Sequence, residues 1–252
     1  MCGRYASARA RQELIEEFQV QLDATEDAIR PDYNVAPTKK VPAVLTRPPG
    51  DDEEEAVRQL RALRWGLVPS WAKDIKIGNR LINARAETVH EKPSFRRAFA
   101  KRRCLLPADG FFEWYTAQAE EGRKPSKQPF FIRPRDGAVM AMAGLYELWR
   151  SPEDEWLWTC TVITTQATDD VGRIHDRMPM VVRPEHWDDW LDPGLTAVEE
   201  VRELLVPAMN GTMEAYPVSK AVNNVKNNGP ELIRPATDGH IPGDHSESSS
   251  LF

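Results

Sequence analysis

A chain of 252 residues and 28.6 kDa holds one large core or two small ones, and a single domain is the simpler expectation. Charged residues make up 29% and hydrophobic ones 41%, an ordinary globular mix. Its apolar runs, such as residues 139–145, are too short to span a bilayer, so no membrane partner is expected. A net charge of −6 and a pI near 5.5 exclude a uniformly cationic nucleic-acid binder.

The predicted elements run as follows. Residues 8–18 carry Leu14, Ile15 and Phe18 at helical spacing with Ser7 as a possible N-cap. After a Pro-rich stretch and the acidic run 51–55, residues 56–69 predict a strand ending in the loop Trp65-Gly66-Leu67-Val68-Pro69-Ser70-Trp71. Residues 93–100 suit a helix with Pro93 in its first turn, and residues 103–114 suit strand, turn, strand about Asp109-Gly110. Three β-branched and aromatic runs, 129–133, 138–149 and 156–165, predict a meander. Helices follow at 169–174, 184–191 and 196–205, and a polar, turn-rich tail is predicted to be disordered over 234–252. The expected fold class is therefore α+β, one domain over residues 2–233 with a mainly antiparallel sheet or partial barrel flanked by short helices.

Charge is segregated along this order. Residues 80–103 hold eight Lys or Arg against two acidic residues, which fits a local phosphate track and equally a solvated face. Cys2, Cys104 and Cys160 are too few for a disulfide framework, and the five histidines lack metal-ligand spacing, so neither a metal nor a cofactor is assigned. No secretory signal is readable after Met1, so a cytoplasmic or nucleoid location is the expectation.

Cys2 has a chemistry set by its position. Removal of Met1 is expected before so small a side chain and would leave an α-amine and a thiol on one residue. Their reference pKa values, about 7.7 to 8.0 and about 8.5, leave a useful fraction of each deprotonated near neutrality. The amine can add to an aldehyde to give an imine, and the thiol can close on the imine carbon as a five-membered thiazolidine. Position alone fits equally well a small buried residue.

Other polar residues stand in suggestive places. Asn83 and Arg85, two apart in an extended segment, would share a face able to hold a phosphate or sugar oxygen, though an Asn often serves the backbone and an Arg the solvent. Glu113 lies inside the aromatic run Gly110-Phe111-Phe112-Glu113-Trp114; burial would raise its pKa towards a general acid or base, whereas simple alternation would turn it to solvent. His175, before Asp176 and Arg177, can move protons near pH 7 or be merely structural. Trp65, Trp71 and Trp114 can stack on unpaired bases or fill a core.

Seven segments, taken together, carry a resemblance. Met1-Cys2-Gly3-Arg4-Tyr5, Tyr33-Asn34-Val35-Ala36-Pro37-Thr38, the Trp65 to Trp71 loop, Asn83-Ala84-Arg85-Ala86-Glu87-Thr88, Gly110-Phe111-Phe112-Glu113-Trp114, Ile174-His175-Asp176-Arg177-Met178-Pro179 and Val222-Asn223-Asn224-Val225-Lys226-Asn227 resemble, in that order, the motifs of the SOS-response-associated peptidase (SRAP) domain. The resemblance implies a compact α+β fold with a barrel-like core and a groove for single-stranded DNA. It implies that Cys2 captures the open-chain aldehyde of an abasic site as a thiazolidine crosslink, a lyase-like covalent chemistry, in a protein expected to be a monomer. It also implies roles: Asn83 holds the Cys2 end and the sugar, Glu113 assists ring opening and proton transfer, and His175 is the second acid/base group and takes part in reversal. Arg4, Arg85 and Arg177 would grip phosphates, and Trp71 and Trp114 would wall the lesion pocket. The peptidase label then refers to autocatalytic removal of Met1. Two rivals share these features: an N-terminal-nucleophile amidohydrolase or glutamine amidotransferase, and a non-catalytic single-stranded nucleic-acid module.

Overall fold

The computed structural model describes residues 2–25, 29–47, 55–116 and 127–236. The acidic run, apart from Glu55, and residues 237–252 of the predicted tail lie outside the described residues. Thirteen strands and five α-helices follow in chain order: β1 (Tyr5–Ser7), α1 (Arg11–Glu17), β2 (Leu22–Ala24), β3 (Asp32–Val35), β4 (Lys40–Arg47), β5 (Val57–Trp65), β6 (Asn83–Arg85), α2 (Arg96–Lys101), β7 (Arg103–Ala108), β8 (Gly110–Thr116), β9 (Lys127–Pro134), β10 (Met140–Arg150), β11 (Trp156–Gln166), α3 (Asp169–Ile174), β12 (Arg177–Pro179), α4 (Trp187–Leu191), α5 (Val198–Glu203) and β13 (Met213–Pro217). None of the helices among the described residues is long and apolar enough to cross a membrane.

The strands form two sheets. In the larger, β5, β4, β7, β10 and β11 are neighbours in sequence around a ring, closed where β11 meets β5 in parallel at Thr159↔Arg64 and Cys160↔Trp65. Closure removes the exposed edges that an open sheet of this size would present. β2, β6 and β12 extend this sheet, and the smaller one runs β13-β9-β8-β1-β3. The expected α+β domain with a barrel-like core is the observed one.

Alternation along each strand decides which cluster a side chain joins. On β4, Val41, Ala43 and Leu45 pack with Trp65, Leu106, Met142 and Val162, and the smaller sheet adds Cys2, Tyr5, Phe111 and Ile132 to the same cluster. The intervening Val44 joins Leu105, Ala143 and Leu145 under the helices with Phe18, Phe99 and Trp190. Ala6, Phe112 and Phe131 turn to a third cluster beneath Val222 and Leu232. The N-terminal strand is thus buried on both faces.

Several expectations change. α1 starts at Arg11 with Ala10 as its cap, Glu13 accepting from the Ala10 N–H at 3.0 Å. Ser7 is no cap: it belongs to β1, and its hydroxyl donates to Pro107 O at 2.9 Å. The helix predicted at 93–100 runs from Arg96 to Lys101, because Pro93 stays in the preceding turn. The meander is half right. β10 and β11 are a hairpin, but β9 pairs with β8 and β13, so the chain changes sheets between β9 and β10. It changes sheets again across Asp109, because β7 pairs with β10 and β4 whereas β8 pairs with β1 and β9. Asp109 holds this corner by accepting from Ala8 N–H at 2.6 Å and Arg9 Nε at 3.0 Å. The chain is also still bonded past residue 233, with Ala236 N donating to Pro217 O at 2.8 Å.

Helices and barrel are joined by a buried cation. The Arg103 guanidinium donates to five backbone carbonyls, those of Phe99, Ala100, Trp190, Asp192 and Leu195, at 2.6 to 3.1 Å. Burial lowers its pKa to about 10, so it remains charged at neutral pH. Removing it would leave several helix-end carbonyls without donors, each costing about 1–3 kcal/mol. Arg103→Ala is therefore expected to lose at least about 3 kcal/mol of stability in urea unfolding; an unchanged midpoint would contradict this account.

Candidate active site

β1 brings the start of the chain against β8 in antiparallel register, Tyr5 opposite Phe111 and Ala6 opposite Gly110, and Phe112 N donates to Arg4 O at 2.9 Å. Extending that register sets Gly3 opposite Glu113, which brings Cys2 to the same place. Cys2 is fully buried. The Asn83 amide donates to its carbonyl oxygen at 2.7 Å, and the Arg4 backbone N–H hydrogen-bonds to its sulfur.

Asn83 reaches Cys2 because β6 pairs in parallel with β11, Asn83 beside Val162. Ala84 turns to the core while Asn83 and Arg85 share the opposite face, as their spacing predicts; Arg85 is exposed. Glu113 is only 4% exposed. Phe112 and Trp114 flank it on the other side of β8, but α3 packs against β8, with Val171 and Ile174 in the cluster of Phe111, on the face that alternation alone would leave in solvent. Burial raises its carboxyl above the ordinary carboxylate range, and the charge of nearby His175 pulls the other way. The Cys2 thiol is pushed far up, first by burial and then by the Glu113 charge. Thiol and carboxyl are thus electrostatically coupled, and the thiol is held in its protonated form.

His175 follows α3 and sits partly exposed. Its Nδ1 lies 3.0 Å from the Arg177 N–H and 2.9 Å from an oxygen of Asp176. One nitrogen cannot accept from the first and donate to the second. The backbone donor is the fixed one, and Asp176 is largely in solvent, so the contact with Arg177 N–H is the one that orients the ring.

The arginines divide. Arg85 offers its charge to solvent. Arg177 does not: both its terminal nitrogens donate to Glu87, at 2.7 and 3.0 Å, and one also to Thr164 O at 2.6 Å. The expected phosphate donor is committed inside the fold, where it ties the segment after β6 to β11 and seats His175. Arg4 is half-committed, donating to Asn34 Oδ1 at 2.7 Å and Val222 O at 2.9 Å. The tryptophans divide too. Trp65 is wholly buried, Nε1 bonded to Ile82 O at 2.9 Å, and is core rather than stacking platform. Trp114 is half-buried, its Nε1 donating to Asn223 Oδ1 at 2.7 Å with the Arg4 guanidinium 5.8 Å from its ring centroid. Trp71 is 59% exposed and walls a depression of about 360 Å³ with Lys73, Lys76 and Arg80, which none of Cys2, Asn83, Glu113 or His175 lines.

The loop carrying Trp71 is held by a backbone contact. Gly66 has φ +119°, and a Cβ there would lie 2.6 Å from Gly78 O, so only glycine fits. Asn34, in the second of the seven segments, has a structural role that its sequence position does not announce. Fully buried, it accepts from Arg4 and donates to the carbonyls of Val222, Asn224 and Asn227 at 3.3, 3.1 and 2.9 Å. It welds the last motif to the first. An amide among so many asparagines in two separate motifs was the available signal.

The residue set and the fold define a class. A family model described as SOS response associated peptidase (SRAP) matches residues 1–225, and this chain belongs to that family. It is 42% identical over 233 residues to "Abasic site processing protein YoqW" of Bacillus subtilis (strain 168), covering 92% of this chain and 99% of that one. It is 34% identical over 240 residues to "Abasic site processing protein HMCES" of Mus musculus, covering 83% and 66%. Among solved structures, an X-ray crystal structure of a protein from Bacteroides thetaiotaomicron superposes with a TM-score of 0.78 at 26% identity, covering 93% of this chain and all of that one.

A carboxyl whose folded pKa is raised above its unfolded value opposes folding above the unfolded pKa and is without effect below it. Glu113→Gln is therefore expected to raise thermal stability at neutral pH, with the gain shrinking to nothing as pH falls below about 4. A variant less stable than the parent at pH 7 would contradict the burial argument.

Proposed function

We propose that this chain processes abasic sites in single-stranded DNA by covalent capture through Cys2, after removal of Met1 by the protein itself. The observation that carries the proposal is the convergence on Cys2 of Asn83, which bonds its carbonyl, and Glu113, whose charge acts on its thiol.

The chemistry follows from the protonation states. A thiol kept protonated is a poor first nucleophile, so the α-amine attacks the open-chain aldehyde, with Glu113 placed to take and return the proton. Loss of water gives the imine. The sulfur then adds to the imine carbon while the thiol proton passes to the ring nitrogen, again within reach of Glu113. One C–N and one C–S bond form and one water leaves, so no oxidant or reductant is needed. Asn83 fixes the backbone of Cys2 so that amine and sulfur meet the same carbon. His175, coupled to Glu113, is suited to protonating the sugar oxygen and to the reverse reaction. Arg85 and Trp71 supply cationic and stacking contacts to the strand, and Trp114 walls the pocket beside Arg4.

Incubation with an abasic single-stranded oligonucleotide should give a denaturation-resistant adduct whose mass equals protein lacking Met1 plus DNA minus one water. Cys2→Ala, or a form retaining Met1, should form none while still binding intact single strands in a salt-sensitive way. Glutaminase turnover without an adduct would overturn the proposal. Glu113→Gln should slow adduct formation by about 10²-fold or more, and His175→Ala should slow release of a preformed adduct more than it weakens binding; unchanged rates in both variants would refute the acid/base assignments.

A further inference from the structure

We infer that a second single-stranded DNA contact, centred on Trp156 at the tip of the β10–β11 hairpin, holds the strand flanking the lesion. The inference rests on the capture reading only for its ligand, and its evidence lies away from Cys2.

Among the described residues, the two large aromatic side chains most open to solvent are Trp71 at 59% and Trp156 at 62%. Trp156 belongs to none of the seven motifs, and at the start of β11 it stabilises no core. It forms the shared wall of two depressions. One, of about 310 Å³, is lined with Lys40, Arg61, Arg64 and Trp158, with no carboxylate in its lining among the described residues. The other, of about 360 Å³, holds Arg97, Arg102 and Arg150 around Glu147, and reaches Ser70, the neighbour of Trp71. Glu147 is already neutralised by Arg102 at 2.8 Å, and Arg150 is in turn paired with Asp154, its Nη2 donating to Oδ2 at 2.6 Å. Beyond Trp71 lies the depression of Lys73, Lys76 and Arg80.

These three depressions bring together nine cations and two carboxylates on a chain whose net charge is −6. Such concentration is what a polyanion requires, and two exposed tryptophans are what unpaired bases stack on; a duplex offers few base faces. The Arg61 guanidinium carbon lies over the Trp158 ring, 4.3 Å from its centroid, and Trp158 is in turn stacked on Tyr146 at 5.6 Å. The Arg150 guanidinium lies 5.8 Å from the centroid of Trp156. A succession of depressions separated by flat rings suits consecutive nucleotides better than one small anion.

The test compares three single-stranded oligonucleotides by fluorescence anisotropy with the full chain: a short one spanning the lesion site, and two extended on the 5′ or the 3′ side. Extension on one side should tighten binding by the parent. Trp156→Ala should weaken that extended strand by about tenfold, leave the short one unaffected and leave adduct yield at saturating DNA unchanged. Lys40→Gln should lower the salt slope by about 0.7 for the extended strand alone. Equal affinity of parent and Trp156→Ala for both extended strands, or an equal loss on the short strand, would overturn the inference. The binding arms use intact DNA, so a parent that binds as expected but forms no adduct on abasic DNA would sink the capture proposal and leave this one standing.

Discussion

Everything at the site depends on the pairing of the first strand with the middle of a sheet. Chain termini are ordinarily the loosest part of a domain. Here β1 lies between β8 and β3, with Cys2, Tyr5 and Ala6 all without solvent exposure. That pairing is what puts a residue defined only by being near the start of the chain opposite a carboxyl more than a hundred residues away. Burial then does the chemical work, raising Glu113 and Cys2 together.

The interactions supporting this arrangement are mostly polar groups that appear functional in sequence but are structural in place. Arg177 clamps Glu87 and Thr164, and Asn34 gathers Arg4 and three carbonyls of the last motif. Most of their polar atoms are paired, the Nε of Arg4 and of Arg177 excepted, and a well-paired buried network specifies one geometry where apolar packing alone tolerates several. Positioning residues and reacting residues therefore occur in the same short motifs.

This explains what was legible in the sequence. Strands with β-branched and aromatic runs, such as β10 and β11, were readable because their composition and turn residues agree. The pairing of β9 was not, because periodicity reports which face is buried and not which neighbour covers it; β9 and β10 are adjacent in sequence yet lie in different sheets. Asn83 beside Cys2 followed from the family resemblance rather than from spacing. The commitment of Arg177 was invisible because its partners Glu87 and Thr164 are distant in the chain, and a guanidinium in a motif looks the same whether it faces a phosphate or a buried carboxylate. Trp156 escaped for the opposite reason: it lies in no motif, and only its exposure beside cations distinguishes it.

The tie from Arg4 and Asn34 to residues 222–227 also orders events in time. On the ribosome the amino end emerges first, yet the carbonyl that anchors Arg4 belongs to a residue 218 positions later. The first strand must therefore wait for residues 222–227 before Arg4 and Asn34 have their partners. A chain cut short of them would carry β1 without this tie, so the opening strand is fixed in place only after the segment that follows β13 has been made.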